Sequence, residues 1–228
     1  MNFFHKNNKL SKITNPKFIL GLILLIILGY LGNLFKINLF FGVDFIFGSI
    51  SSLIVVYFYG TKWGTLAALI ASIHTYFLWN HYYAIIIFTL EAMFVGVILN
   101  RQRFQNIVLL DGIYWIFLGI PLVGLFYGFV LHLNTMQTVL IMLKQSVNGF
   151  FNALICNLII TYVPINKLVS SSRKENYSSF QTTIFNFLMA FILLPGLIIT
   201  IFDTQGILIH IEHDIKKQLI VAKTPIIN

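Results

Sequence analysis

Charged residues are scarce in this sequence of 228 residues. Only 10% of the residues are Asp, Glu, Lys or Arg, and just 7 are acidic, whereas about 25% of an ordinary soluble domain is charged. A soluble domain of this length has no interior large enough to bury a chain that is 58% hydrophobic. The composition therefore excludes a soluble globular enzyme and a disordered protein, and it predicts an integral membrane protein.

Cysteine is almost absent, since Cys156 is the one cysteine and lies in an apolar segment. This excludes an intramolecular disulfide and a cysteine-based zinc site. The sequence also lacks a phosphate-binding loop, a glycine-rich dinucleotide turn, a His-Glu-x-x-His helix and a nucleophile elbow. We therefore expect no enzymatic activity, no metal and no cofactor.

The apolar residues form long continuous runs, which predict membrane-spanning helices rather than the alternating strands of a β-barrel. The predicted fold is an all-α polytopic bundle with a six-helix module over residues 18–163 and a seventh helix over 180–202. A basic N-terminus (1–17), a polar linker (164–179) and an amphipathic stalk (203–228) complete the chain. The seven spans are Phe18–Phe35, Val43–Tyr59, Trp63–Trp79, Tyr82–Leu99, Ile107–Leu131, Thr138–Val163 and Phe180–Phe202.

The net charge of +8 is an orientation signal rather than a sign of nucleic-acid binding, because the basic residues flank the apolar runs and form no stripe. With the N-terminus in the cytoplasm, ten Lys and Arg residues fall on the inner side and four on the outer side. Cytoplasmic segments carry the excess of positive charge. The sequence therefore predicts an N-in, C-out protein with a cytoplasmic linker and an extracytoplasmic stalk.

Four ionisable side chains stand out inside the predicted six-helix module: Asp44, His74, Glu91 and Lys144. Ionisable groups within spans are costly and usually functional. We expect all four to reach one cavity that opens to the outside. For two of them a simpler alternative stays open: His74 bonds to a neighbouring helix, and Asp44 caps the second span.

Lys144, Asn148 and Asn152 recur every four residues in the sixth span and therefore share one helix face. Amides cannot be left unpaired in hydrocarbon, so this face should point into the bundle. Glu91 is deep enough to offset Lys144, and we predict an ion pair between them. This pair either fixes the helix register or belongs to a site for a ligand or ion.

Asp111 and a cluster of ionisable residues in the stalk are predicted to lie at surfaces. Asp111 is expected at the inner membrane interface, as a partner of Arg101 and Arg103. In the stalk, the cluster of His210, Glu212, His213 and Asp214 is interpreted as a solvated helix face rather than a metal site, since a bound metal usually brings another well-placed ligand.

Several stretches together resemble the N-terminal membrane-associated sensor region of bacterial histidine kinases and diguanylate cyclases. They are FFGVDFIFGS (40–49), YGTKWG (59–64), YFLWNH (76–81), FTLEA (88–92) and LKQSVNGFFNA (143–153). The resemblance covers about residues 20–170 and implies a multi-span block followed by an extracytoplasmic ligand-binding domain. No kinase or cyclase sequence follows here, so we interpret the chain as a truncated relative or as one part of a split system.

The resemblance implies a sensor or signal-input module of the bacterial cytoplasmic membrane that lacks its own output domain. Its expected partners are the lipid bilayer, an unidentified small ligand, and a second copy or another signalling protein. Two alternatives stay open: a substrate-binding subunit similar to those of energy-coupling-factor importers, and a structural membrane protein without a ligand.

Overall fold

A computed structural model of the chain describes residues 16–38, 44–101 and 106–163, together with positions 165, 184, 188–189 and 215–217. Two short antiparallel strands, β1 (Ile37–Asn38) and β2 (Asp44–Phe45), pair between the first two helices. The helices are α1 (Pro16–Leu34), α2 (Gly48–Tyr59), α3 (Thr61–Ser72), α4 (His74–Trp79), α5 (Tyr83–Asn100), α6 (Ile107–Val130) and α7 (Thr135–Tyr162).

Four of these helices, α1, α5, α6 and α7, are long and apolar enough to cross a membrane. Each lies within a few residues of a predicted span, and the all-α character expected from the composition is confirmed. The predicted basic N-terminus up to residue 15, the linker, the seventh span and the stalk lie outside the described residues, apart from the isolated positions named above.

Helix α2 is about three fifths of the length of a membrane span and lies at the centre of the bundle. Its 12 residues extend about 18 Å, whereas the hydrocarbon core is about 30 Å thick. It packs against α1, α3, α5 and α7, and nine of its 12 residues are buried. The predicted second span, Val43–Tyr59, is therefore wrong at its start, because the helix begins only at Gly48.

The chain enters α2 through an extended segment that is buried inside the protein. Ile46 is 2% exposed, and its backbone is bound by two side chains of α7. Asn148 accepts from the Ile46 N–H at 2.9 Å and donates to the Ile46 carbonyl at 2.9 Å, while Asn152 donates to the same carbonyl at 3.0 Å. Such non-helical backbone is tolerated at membrane depth only where protein or water satisfies it.

Helices α3 and α4 form one bent helical segment that corresponds to the predicted third span. Asn33 of α1 donates to the Ala71 carbonyl at 2.8 Å and accepts from the Gly48 N–H at 2.7 Å. Next to this carbonyl, the N–H of Ile73 bonds to the Ile70 carbonyl at the tighter i−3 spacing. A side chain that takes a carbonyl out of the helical ladder is a recognised cause of a bend.

A proline inside a helix predicts a kink, and the sequence places Pro121 in the fifth predicted span and Pro195 in the seventh. Helix α6 widens on both sides of Pro121. The segments Trp115–Gly119 and Gly124–Val130 are π-helical, and the Ile120 N–H donates to the Trp115 carbonyl five residues earlier. Proline removes one backbone donor and crowds the preceding turn, so wide turns around it let the helix continue to Val130. Pro195, the other predicted kink, lies outside the described residues.

The small-xxx-small pairs Gly60/Gly64, Ala67/Ala71 and Gly124/Gly128 predict a close approach of helices, and the structure shows it for α3. A Cβ on Gly64 of α3 would overlap Val56 of α2, and Ala67 and Ala71 on the same helix are 1% and 2% exposed. This close approach packs α3 directly against the central helix.

Candidate functional site

Glu91 lies on α5 at the centre of the bundle and joins two other helices. Glu91 is buried, with only 1% of its surface exposed. One carboxylate oxygen accepts from the Ser49 hydroxyl of α2 at 2.7 Å, and the other accepts from the Trp115 indole N–H of α6 at 3.1 Å. Both oxygens of Glu91 therefore already have a hydrogen-bond donor from the protein.

Asp111 of α6 lies within hydrogen-bonding reach of Glu91. It is 0% exposed, and neither of its carboxylate oxygens has a hydrogen-bond donor in the described part of the chain. The prediction that it lies at the membrane interface with Arg101 is therefore wrong, and Arg103, the other predicted partner, lies outside the described residues. One turn into α6, Asp111 lies on the face that packs against α5 and α7 rather than on the face towards the membrane surface.

The predicted ion pair between Glu91 and Lys144 is also wrong. The Lys144 ammonium group lies 4.3 Å from the ring centroid of Trp79 at the C-terminal end of α4, and it forms no salt bridge among the described residues. The ring face attracts the cation, while Ser49, Trp115 and Asp111 surround the carboxylate. Opposite charge alone therefore does not determine which of these side chains are in contact.

Asp44 belongs to the hairpin at the Trp79 end of the bundle rather than to the carboxyl site. It forms a 2.9 Å salt bridge with Lys36 across the β1–β2 turn, and Lys144 lies within electrostatic range of both. Asp44 does not cap the second span, since α2 starts four residues later, after Phe47, without a side-chain cap.

His74, at the start of α4, contacts aromatic rings. Its ring packs edge-on against Tyr30 of α1 at 5.5 Å between centroids and lies 6.2 Å from Phe77. Its Nδ1 atom is buried and has no hydrogen-bond partner among the described residues. This atom therefore does not form the expected hydrogen bond to a neighbouring helix. The four ionisable residues predicted to share one cavity thus occupy three separate environments.

Asn148 and Asn152 point into the bundle, as the sequence predicts, but their amide groups bind the Ile46 backbone. They act on the chain entering α2 and so position Ser49, which bonds to Glu91. On the helix face that these residues share, the two asparagines thus bind the Ile46 backbone in the core, whereas Lys144 lies over Trp79.

A small polar cavity adjoins the first turn of α2. It is lined by Asn33, Ile46, Gly48, Ser49, Ser52, Ala68, Ala71, Ser72 and Phe88. It has room for about one water molecule. Its wall includes Ser49, so the cavity lies directly beside the hydroxyl that holds Glu91.

Sequence reasoning missed the three residues Ser49, Asp111 and Trp115 that complete the site around Glu91. A signal was present in α6: Asp111 and Trp115 are four residues apart and thus share a helix face. Only the structure shows the role of Gly149, where a Cβ would overlap the Trp115 indole. The glycine leaves the space in which the indole reaches Glu91.

No group of three or more His, Cys, Asp or Glu residues that could hold a metal ion occurs in the described parts of the chain. The site is instead a pair of buried carboxyl groups with one hydroxyl and one indole donor. Neither a protein-family model nor a curated protein nor a solved structure matches the chain.

Proposed function

We propose that this protein is a membrane-embedded signal-input module of a bacterial cytoplasmic membrane, with seven spans in the N-in, C-out orientation. The site around Glu91 is its input element, and movement of α2 relative to its neighbours carries the signal. The resemblance to sensor regions of histidine kinases and diguanylate cyclases supports this proposal, and the geometry of α2 supplies a physical means of relay.

The observation that carries the proposal is the way the buried start of α2 is held. Polar side chains from three different helices bind it: Asn33 of α1 at Gly48, Glu91 of α5 at Ser49, and the two asparagines of α7 at Ile46. Two further bonds join this end to α1: the Phe47 N–H donates to the Gly32 carbonyl at 3.0 Å, and the Ser51 hydroxyl donates to the Leu25 carbonyl at 2.6 Å. A change at any one of the three side-chain contacts therefore changes how α2 is held relative to α1, α5 and α7.

Glu91 is the contact best suited to receive an input. It is the one carboxyl group among these anchors, and it also bonds to Trp115 of α6. A change in its charge or hydrogen bonding acts on α2 and α6 at once. Coupling between sites requires an element with two arrangements whose equilibrium the input shifts, and α2 is that element in this proposal.

The test is a distance measurement between helices of the full chain in lipid nanodiscs. Spin labels are attached at Leu20→Cys on α1 and Phe129→Cys on α6, both exposed side chains, in a Cys156→Ala background. Glu91→Gln and Ser49→Ala each weaken the link to α2. We expect both variants to shift the interhelical distance distribution towards a second arrangement.

Asp44→Asn is the matched control, because it also converts an acid to an amide but lies in the hairpin. The control should retain the distance distribution of the labelled parent. A single unchanged distribution in the parent, in Glu91→Gln and in Ser49→Ala, with all three proteins folded, would contradict a signalling role and favour a static structural protein.

A further inference from the structure

The carboxyl pair of Glu91 and Asp111 has hydrogen-bond donors on one side only. Glu91 receives one donor at each oxygen. The two oxygens of Asp111 receive none within the described residues. Buried polar atoms in native proteins almost always have a partner, so Asp111 requires an additional donor.

The same carboxyl pair also lacks a compensating positive charge. Two carboxyl groups, 1% and 0% exposed, lie within hydrogen-bonding reach of each other. Lys144 lies over Trp79 and Lys36 pairs with Asp44, while Lys17 and Lys62 are exposed at helix ends. Two adjacent carboxylates cannot both stay ionised without a compensating positive charge. The missing component is therefore a donor that carries one positive charge.

We propose that Glu91 and Asp111 form a proton-binding site, in which Asp111 holds the proton and donates it to the Glu91 carboxylate. The hydrogen bonds identify the two roles. An ionised carboxylate is only an acceptor, and Glu91 accepts from two protein donors. A protonated carboxyl group supplies one donor, which Asp111 needs because no protein donor reaches it in the described residues.

The position of α2 favours this assignment. Ser49 is the second residue of α2, so the Glu91 carboxylate lies against the N-terminal end of a helix, where the helix dipole stabilises negative charge. Asp111 lies on α6 and has no such support from α2. Protonation at Asp111 therefore leaves the negative charge where donors and a helix end already favour it.

The titratable groups facing the pair from neighbouring positions do not replace the proton. Tyr114 of α6 donates its hydroxyl to the Ile87 carbonyl at 2.6 Å. Cys156 of α7 is completely buried and interacts electrostatically with Asp111. Both side chains are neutral in their protonated forms, so neither supplies a positive charge. On proton release, Asp111 and Glu91 would both be anionic and would repel α5 from α6.

This inference deepens the proposed function and rests on it for the relay, since the proton becomes the input that α2 transmits. The proton site itself is tested by infrared spectroscopy of the full chain in lipid nanodiscs. At neutral pH we expect a carboxylic-acid C=O band, which shifts when the wild-type protein is made with ¹³C-labelled aspartate. This measurement needs no substitution and does not depend on the folding of a variant.

Three variants assign the band. Asp111→Asn should remove it, Glu91→Gln should shift it because the hydrogen-bond acceptor changes, and Asp44→Asn should leave it unchanged. Raising the pH should convert the band to carboxylate absorption. A wild-type protein without the band, or a band that persists unchanged in Asp111→Asn, would overturn the proposal.

A sodium titration at constant pH separates a proton from a metal cation. The band should not change with NaCl, and its loss on adding sodium would overturn the proton assignment. The two proposals fail separately. An absent infrared band refutes the proton site even where the spin-label distances shift, whereas a present band with unchanged distances refutes the signal relay alone.

Discussion

The carboxyl groups of Glu91 and Asp111 lie within hydrogen-bonding reach at the centre of the bundle, although they belong to different helices. Glu91 also receives the Ser49 hydroxyl and the Trp115 indole. This arrangement links α2, α5 and α6 through one buried acidic pair. Substitutions beside this pair, at the asparagines that bind the Ile46 backbone, and at Lys144 should therefore have different effects on the free energy of unfolding.

Gly149→Ala should disturb the site through Trp115. A Cβ at Gly149 would overlap the indole that donates to Glu91, so the ring must move or the helices must separate. We expect a loss of about 1–3 kcal/mol in the free energy of unfolding, measured by denaturation in mixed detergent micelles.

Gly128→Ala is the control for that substitution. The nearest atom to a Cβ at Gly128 is Thr138 Cγ2 at 3.4 Å, an ordinary contact. Its effect should stay within about 0.5 kcal/mol. Equal losses in the two alanine variants would show that the space beside Trp115 has no special role.

Asn148→Leu should destabilise the protein more than Asn152→Leu. Asn148 binds both the N–H and the carbonyl of Ile46, whereas Asn152 binds only the carbonyl, which Asn148 also reaches. Leaving the buried Ile46 N–H unpaired should cost about 1–3 kcal/mol. The free energies of unfolding of the two variants provide the comparison, and a greater loss in Asn152→Leu would contradict this role of Asn148.

Glu91→Gln and Lys144→Met should act independently of each other. Glu91 bonds to Ser49 and Trp115, and Lys144 lies over Trp79. The change in unfolding free energy of the double variant should equal the sum of the single changes to within about 0.5 kcal/mol. A coupling well above that value would restore the ion pair that the structure excludes.

His81, in the connection between α4 and α5, should make stability depend on pH. Its ring lies among Trp79, Tyr83 and Tyr127, at 6.3, 5.5 and 4.9 Å between centroids, and burial lowers the pKa of this histidine. The folded state thus favours neutral His81. This contribution is present above the unfolded pKa of about 6.5 and is lost as the pH falls below it.

Thermal unfolding of the wild type and of His81→Gln across this pH range measures that contribution. The wild type should lose more stability than the variant when the pH falls below about 6.5. Parallel pH profiles in the two proteins would show that His81 contributes nothing to the pH dependence.

The positions of α1, α5, α6 and α7 could be predicted from the sequence because each is a continuous apolar run of membrane length. The start of α2 could not. Residues 45–47 are Phe-Ile-Phe and as apolar as a helix, but the helix begins only at Gly48, and side chains about 100 positions later bind the Ile46 backbone. No local pattern contains that partner.

The candidate site was predictable only in part. Glu91 was identified because an acid in the middle of an apolar run is unusual, but its partner was chosen by charge, which favoured Lys144. Asp111 was assigned by its distance from the helix end, near Arg101, and that distance does not determine which face of α6 is buried. The three-dimensional packing of α5 against α6 decides the pairing.

A double-mutant cycle on Glu91 and Asp111 tests the central claim most directly. The unfolding free energies of the wild type, Glu91→Gln, Asp111→Asn and the double variant are measured under the same conditions. Because the two carboxyl groups lie within hydrogen-bonding reach in the buried core, we expect a coupling of at least about 1 kcal/mol. Changes that add to within about 0.5 kcal/mol, as expected for Glu91 with Lys144, would contradict the carboxyl pair.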